Sequence, residues 1–201
     1  MFFIFSALVS CVDAQLTSPQ KKSTRKEAST DSRTQKSSEP YYNYNYNYNY
    51  DSPTEPQTSD CYKGDPLICE IELEIVRQTN SYRQQRSMTD LKPDAELAFV
   101  SRDWSKKMND LYRLNHTGFP SWRENAYQKE FNKSPSFFIS AENIAVGYCS
   151  GSAEETARYF VDMWWDSSGH RQNMLSDSNY LGAGIYIDQG GECYATQIFG
   201  T

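Results

Sequence analysis

Met163-Trp164-Trp165-Asp166-Ser167-Ser168-Gly169-His170-Arg171-Gln172-Asn173-Met174-Leu175 is the stretch from which the rest of the chain can be read. It opens as the end of a helix. Upstream, Ser152 supplies an N-cap and Glu155, three residues on, completes a capping box. Ala157, Phe160, Val161 and Trp164 then recur at helical spacing, which predicts a helix to about Trp165. Ser168-Gly169 breaks it, and His170 to Leu175 reads as a short second helix. Downstream the apolar period changes. Leu181 to Ile187 alternates as a strand, Asp188-Gln189-Gly190-Gly191 is a hairpin turn, and Cys193 to Phe199 is the returning strand.

Toward the N-terminus the pattern is helical. Ile71, Ile75 and Tyr82, with Ile68 and Val76 beside them, predict a helix over Cys69 to Gln85. Leu91-Lys92-Pro93-Asp94 is a turn, and Asp94 caps a second helix that carries Leu97, Trp104, Met108 and Leu111 on one face and runs to about Leu114. His116 to Ser140 reads as irregular, with aromatics at Phe119, Trp122, Tyr127, Phe131, Phe137 and Phe138. Helices that precede a small terminal β region place the chain in the α+β class, with a sheet covered by helices.

Three zones differ in composition. Residues 1–14 hold a short apolar run, Phe2 to Val9, followed by the small residues of Val12-Asp13-Ala14, as in a secretory signal peptide. That run is far below the roughly 20 residues that span a bilayer. A secreted, extracellular protein with no membrane-spanning segment is therefore expected. Residues 15–60 form a low-complexity tail with six basic and six acidic residues and no Val, Ile, Phe or Trp. Such a segment buries too little apolar surface to offset chain entropy, so disorder is expected. Within it the Tyr-Asn repeat of Tyr41 to Tyr50 would put every Tyr on one face if extended, which suits anchoring in an extracellular matrix or wall, or serves as a neutral spacer. Residues 61–201 hold the folded domain, with all four Trp. Its 14 basic and 19 acidic residues leave −5 of the chain's formal −6. That balance excludes a nucleic-acid partner bound through bulk positive charge.

Four of the five cysteines lie in the domain, and the fifth, Cys11, lies in the signal segment. An even four in an exported chain reads as two disulfides, for which three pairings exist. The favoured one is Cys61–Cys69, closing a short loop over Asp65-Pro66, with Cys149–Cys193 tying the segment after Glu142 to the last strand. The chain has two histidines, His116 and His170, so any imidazole chemistry uses those two. Asn115-His116-Thr117 and Asn132-Lys133-Ser134 are glycosylation sequons on Asn115 and Asn132, the second weakened by Pro135.

Taken in order, these motifs resemble a known family. Thr79-Asn80-Ser81-Tyr82-Arg83, Leu91 to Leu97, His116, Ala141-Glu142-Asn143-Ile144-Ala145, Met163 to Leu175, Leu181-Gly182-Ala183-Gly184 and Tyr194 to Gly200 are similar to the cysteine-rich secretory protein, antigen 5 and pathogenesis-related (CAP) superfamily, in its bacterial-type SCP-like branch. The likeness covers about residues 70–200 and rests on the order and spacing of the motifs together. It implies a three-layer α-β-α sandwich with a cleft.

The resemblance also implies a site. The cleft histidines become His116 and His170 and the carboxylate becomes Glu142, with Asn143 at the cleft wall. Two neutral imidazoles and a carboxylate suit zinc or another divalent cation, or proton exchange near neutral pH, or a structural polar cluster in which an imidazole bonds the carboxylate and pins two segments together. The second acidic position of other branches is here Ser167, with Asp166 beside it, so at most three clear metal ligands remain. Arg171 is expected to brace the loop through a carboxylate. The leading functional expectation is a non-enzymatic binding protein that takes a lipid, a sterol or an extracellular protein partner at the cleft and the aromatic stretch. A metal-dependent hydrolase built on His116, Glu142 and His170 is the enzymatic alternative, and a matrix- or wall-associated structural role through the Tyr-Asn tail is a third.

Overall fold

The computed structural model describes residues 61–201, so the expectations for the signal segment and the Tyr-Asn tail lie outside the described residues. The first helix, α1 (Pro66–Gln84), begins earlier than the apolar period implies, because Asp65 accepts from the Ile68 amide at 3.1 Å and Pro66 fills the first helical turn. The expected turn holds a two-residue strand, β1 (Lys92–Pro93). Asp94 caps α2 (Ala95–Asp110) through the Leu97 amide at 2.8 Å, and the helix stops short of Leu114. The capping box at Ser152 opens α4 (Ala153–Asp166), as expected. The break before α5 (Ser168–Met174) falls at Ser167, whose ψ of 121° is extended, and Gly169 lies inside α5. The terminal hairpin is β3 (Tyr180–Ile187) and β4 (Glu192–Gly200).

Two elements depart from the sequence reading. The stretch read as irregular contains α3 (Ser121–Phe131). Its fully buried residues are Arg123 and Tyr127, so the helix presents no apolar stripe for a periodicity argument to find. Ile139–Tyr148 is a strand, β2, although its residues do not alternate. Glu142, Asn143, Ile144 and Ala145 are all buried, because this strand is covered on both faces and two of the four buried side chains are polar.

The sheet has the order β1-β3-β4-β2. β1 runs parallel to β3, with Lys92 opposite Tyr180. The other pairs are antiparallel, with Gly182 opposite Ile198 and Asn143 opposite Gln197. Helix α2 covers one face, and α1 with α4 and α5 covers the other, giving three layers of α-β-α type. The strands sort their side chains by period two. Leu181, Ala183, Ile185, Ala195 and Phe199 pack against Ile71, Ile75, Phe160 and Trp164. Ile144, Tyr194 and Ile198 face Leu97, Val100, Trp104 and Met108. Each fully buried large side chain in these layers contributes about 1.5–3 kcal/mol.

Gly182 and Gly184 explain how closely α2 sits on β3. A Cβ on Gly184 would lie 2.0 Å from the Arg102 nitrogen, and one on Gly182 would lie 2.3 Å from the Leu97 carbonyl carbon. The helix therefore rests on bare strand backbone, and the Ser101 and Ser105 hydroxyls donate to the carbonyls of Gly182 and Gly184 at 2.9 and 3.0 Å. At the β3 edge, Glu72 of α1 accepts from the Ile185 amide at 3.1 Å and pairs with Arg102 of α2 at 2.6 Å. Burial pushes the Glu72 carboxyl up to about 7, against the lowering effect of Arg102.

The structure joins Cys61 to Cys69 and Cys149 to Cys193, with Cα separations of 5.6 and 5.8 Å. The second bond ties the end of β2 to the start of β4, beside the Cys149 amide that donates to the Gly191 carbonyl at 3.1 Å. No helix among the described residues is long and apolar enough to cross a membrane.

Candidate functional site

The site grows from one buried carboxylate. On β2, Glu142 alternates with Asn143, so their side chains leave opposite faces of the strand. Glu142 meets two cationic or cation-capable groups. Arg123, near the start of α3, donates through Nε to Oε2 at 2.6 Å and through a terminal nitrogen to Oε1 at 2.7 Å. His116, in the loop after α2, bonds Oε1 through Nδ1 at 2.8 Å. The Arg123 and Glu142 side chains are both 1% exposed, and His116 is 21% exposed. Since an ionised carboxylate only accepts, Nδ1 carries the proton and Nε2 is the second functional nitrogen of the ring.

Arg123 is held from every side. Its remaining terminal nitrogen donates to the Thr117 carbonyl at 3.0 Å, and its guanidinium carbon lies 3.2 Å from the centroid of the Trp104 ring. Burial pushes Arg123 down from its ordinary value, and the bonds to Glu142 push it back up. A guanidinium bound bidentately to a carboxylate in a desolvated site is a closed ion pair.

Asn143 organises the opposite face. Its amide nitrogen donates to the His170 carbonyl at 3.1 Å and to Gln197 Oε1 at 3.0 Å, and its oxygen accepts from Asn173 at 2.8 Å. Gln197 in turn donates to Thr79 at 2.8 Å, and Thr79 to the Ile75 carbonyl at 2.8 Å. Asn173 also donates to the Glu142 carbonyl at 3.3 Å. This buried chain of amides fastens α5 to the sheet and α1, and it sets where His170 stands. Ser167 serves as the joint between α4 and α5 and makes no side-chain capping bond to α5.

Of the expected set of His116, Glu142 and His170, the first two are joined by a hydrogen bond. His116 and Glu142 are in contact, but Arg123 already supplies the positive charge that a metal would bring, and it would repel one. Among the described residues, no group of three or more His, Cys, Asp and Glu side chains is placed to hold a metal ion. Arg171 also differs from expectation: it donates to the Trp165 carbonyl at 2.8 Å, and among the described residues it pairs with no carboxylate.

The aromatic stretch is mostly packing. Tyr127 is buried and its hydroxyl bonds Glu96, while Phe119, Phe131 and Phe137 pack on Leu97, Val100 and Ile198. Trp122 and Phe138 remain exposed. Of the sequons, Asn115 sits half-buried with its side-chain oxygen accepting from the Thr117 amide at 3.1 Å. Asn132 is the exposed, left-handed cap of α3. Beside His116 an open groove of about 710 Å³ runs between the end of α2 and α3, with Trp104 and Trp122 in its lining.

The model of the cysteine-rich secretory protein (CAP) family matches residues 76–199, a span that holds His116, Arg123, Glu142, Asn143 and His170. The chain belongs to the CAP family. As a CAP protein it is 28% identical over 137 residues to the uncharacterized protein YkwD of Bacillus subtilis (strain 168), covering 66% of this chain. It spans about half, 48%, of that relative's length. An outer surface protein from Borrelia burgdorferi shares the CAP fold at a TM-score of 0.52 and 20% identity, over 63% of this chain and 89% of that one. An extracellular SCP-domain protein from Bacillus anthracis str. Ames aligns at a TM-score of 0.49 and 21% identity, over 73% of this chain and 44% of the other.

Sequence reasoning did not find Arg123 as the partner of Glu142, nor Thr79, Asn173 and Gln197 as the partners that surround Asn143. The signal for Arg123 was its place as a basic residue among aromatics. Nothing local marks Gln197, whose role depends on the register of β2 against β4.

Proposed function

We propose that this CAP protein is an exported, non-enzymatic binding protein that engages a lipid, a sterol or an extracellular protein across the cleft side of the domain. One observation carries the non-enzymatic part: the cleft carboxylate is 1% exposed and bound bidentately by Arg123. A general acid or base must reach the proton it transfers, and a nucleophile must reach its electrophile. Glu142 in this lock serves instead as the keystone that fixes His116 and the entry to α3. The packing of four of the six aromatics on the core favours an open contact face over an enclosed sterol chamber. Export is supported by the apolar leader of residues 1–14, the two disulfides and the outer-surface description of the Borrelia relative.

The test uses the full chain with its disulfides formed. Saturable binding of cholesterol or palmitate, weakened by substitutions on the cleft side, is the expected result for a lipid carrier. Its absence removes the lipid reading and leaves the protein partner. Ester or peptide hydrolysis that disappears in His116→Ala would overturn the non-enzymatic reading.

A further inference from the structure

We propose that the groove between the end of α2 and α3 is a binding site for an acidic polysaccharide, that is, a sugar chain carrying carboxylate or sulfate. The inference goes beyond the cleft reading and stands independently of it, because neither Glu142 nor His170 lines this groove.

The platform is aromatic and fixed. Trp122 is 53% exposed, yet its ring is wedged. Gly118, at φ +70°, lies so close that a Cβ there would meet the indole at 2.2 Å. The Trp104 ring meets it edge-on, with centroids 6.2 Å apart. Leu111 from the end of α2 and Ala126, one turn along α3, extend the apolar floor. An exposed indole held in one orientation presents a flat apolar face without the ordering cost that a free side chain would bring on binding.

The rim is cationic in a domain whose net charge is −5. Lys107, Arg113 and Lys129 line the groove against Asp110 alone. Lys107 is paired with Asp103 at 2.6 Å, and Asp110 with Lys106 at 2.7 Å. Arg113 and Lys129 have no carboxylate within ion-pair distance among the described residues. Two unpaired cations beside an apolar floor call for an anionic ligand with an apolar face. Asn115 and Asn125 add amide donors and acceptors to the same walls.

Openness selects the class. A binding pocket for an apolar small molecule buries about 70–90% of its ligand, whereas an alkyl chain lying in this groove would keep a wet side. A sugar ring has an apolar C–H face for the Trp122 indole and a hydroxyl edge that prefers water and amides. Its acidic substituent satisfies Arg113 and Lys129, and a chain of such rings suits a groove open along its length.

The test is calorimetric titration and tryptophan fluorescence on the full disulfide-bonded chain, made in a host that does not glycosylate Asn115. The probes are an oligogalacturonate, a heparin fragment and a neutral cello-oligosaccharide. We expect saturable binding of at least one acidic probe, weakening as salt rises, and no comparable binding of the neutral one. Trp122→Ala and, separately, the pair Arg113→Glu with Lys129→Glu each weaken it by about tenfold or more. Phe138→Ala, on an exposed aromatic outside the groove, leaves it unchanged. The charge reversals lie on exposed side chains and keep the test valid if Trp122→Ala misfolds. Carboxylate and sulfate sources are separated by which acidic probe binds. The proposal is overturned if neither binds, if the neutral probe binds equally, if the groove variants have no effect, or if only an acidic peptide or a fatty acid shows this sensitivity. Cleft-directed binding that survives while both acidic probes fail would separate this proposal from the functional reading above.

Discussion

Arg123→Met is the sharpest probe of the buried Glu142 site. Methionine keeps an unbranched apolar stem but ends short of the guanidinium, so it removes the charge, every donor and the cation over the Trp104 ring. Glu142 loses the bonds at 2.6 and 2.7 Å and keeps only His116 at 2.8 Å, while the Thr117 carbonyl loses its donor at 3.0 Å. Removing one partner of a buried pair costs about 3–5 kcal/mol, because the other charge is left without compensation. The lost bond to Thr117 adds about 1 kcal/mol. For a domain of this size each kcal/mol lowers the melting temperature by about 3 °C, so a fall of roughly 12–18 °C is expected. Urea unfolding of the full chain, followed by tryptophan fluorescence and circular dichroism, measures the loss. The companion is the double variant Arg123→Met with Glu142→Leu, which removes both charges. If the lock works as described, the double variant is more stable than the sum of the single losses predicts, by about 2 kcal/mol or more. A cost below about 1 kcal/mol for Arg123→Met, or strict additivity in the double variant, would refute the reasoning.

Two further outcomes follow from the packing. Gly184→Ala places a methyl 2.0 Å from the Arg102 nitrogen and 2.3 Å from the Ser101 carbonyl carbon, so α2 must lift from β3. A loss of about 3 kcal/mol or failure to fold is expected, and a near-neutral urea midpoint would contradict the close approach. Glu72→Gln tests the buried acid. Burial raises the folded carboxyl from 4.5 to about 7, so between these values the folded chain holds a proton that the unfolded chain has released. The stabilisation is full below pH 4.5 and is lost as pH rises to about 7. Relative to Glu72→Gln, the unaltered protein should therefore lose stability across that window, by on the order of 3 kcal/mol, and change little above it. A stability difference that does not vary with pH would show that burial does not govern this carboxyl.

Much of the scaffold was legible because its signals are local. The capping residues Asp94 and Ser152 and the alternation of Leu181 to Ile187 each act within a few residues, and the elements they predict are present. The three-layer arrangement came through the family resemblance and is present too. What escaped was structure whose warrant lies elsewhere in the chain. Helix α3 is anchored by a buried arginine, so the absence of an apolar stripe hid it. Strand β2 places Glu142 and Asn143 indoors, which is acceptable only because Arg123 lies 19 residues away and Gln197 lies 54 away in sequence. The motif Glu142-Asn143 marked the position, and the His116 bond to Glu142 is the polar cluster it suggested, but Arg123 as the second partner was not legible. A carboxylate near two histidines reads equally as a metal ligand or a structural cluster, and only the three-dimensional neighbour, a guanidinium, says what else holds it. The groove was equally invisible, since Lys107, Arg113 and Lys129 converge only once α3 exists.

The two-residue β1 leaves most of β3 without a neighbouring strand on one side. Exposed strand backbone is a template on which identical chains polymerise. Here the Ile185 amide is taken by Glu72, whose carboxylate is itself held by Arg102 from the other layer. The helices on both sides of the sheet thus meet across its open margin and close it with an ion pair in place of a strand. That seal opposes strand-on-strand growth between copies of the chain, at the cost of burying a charge.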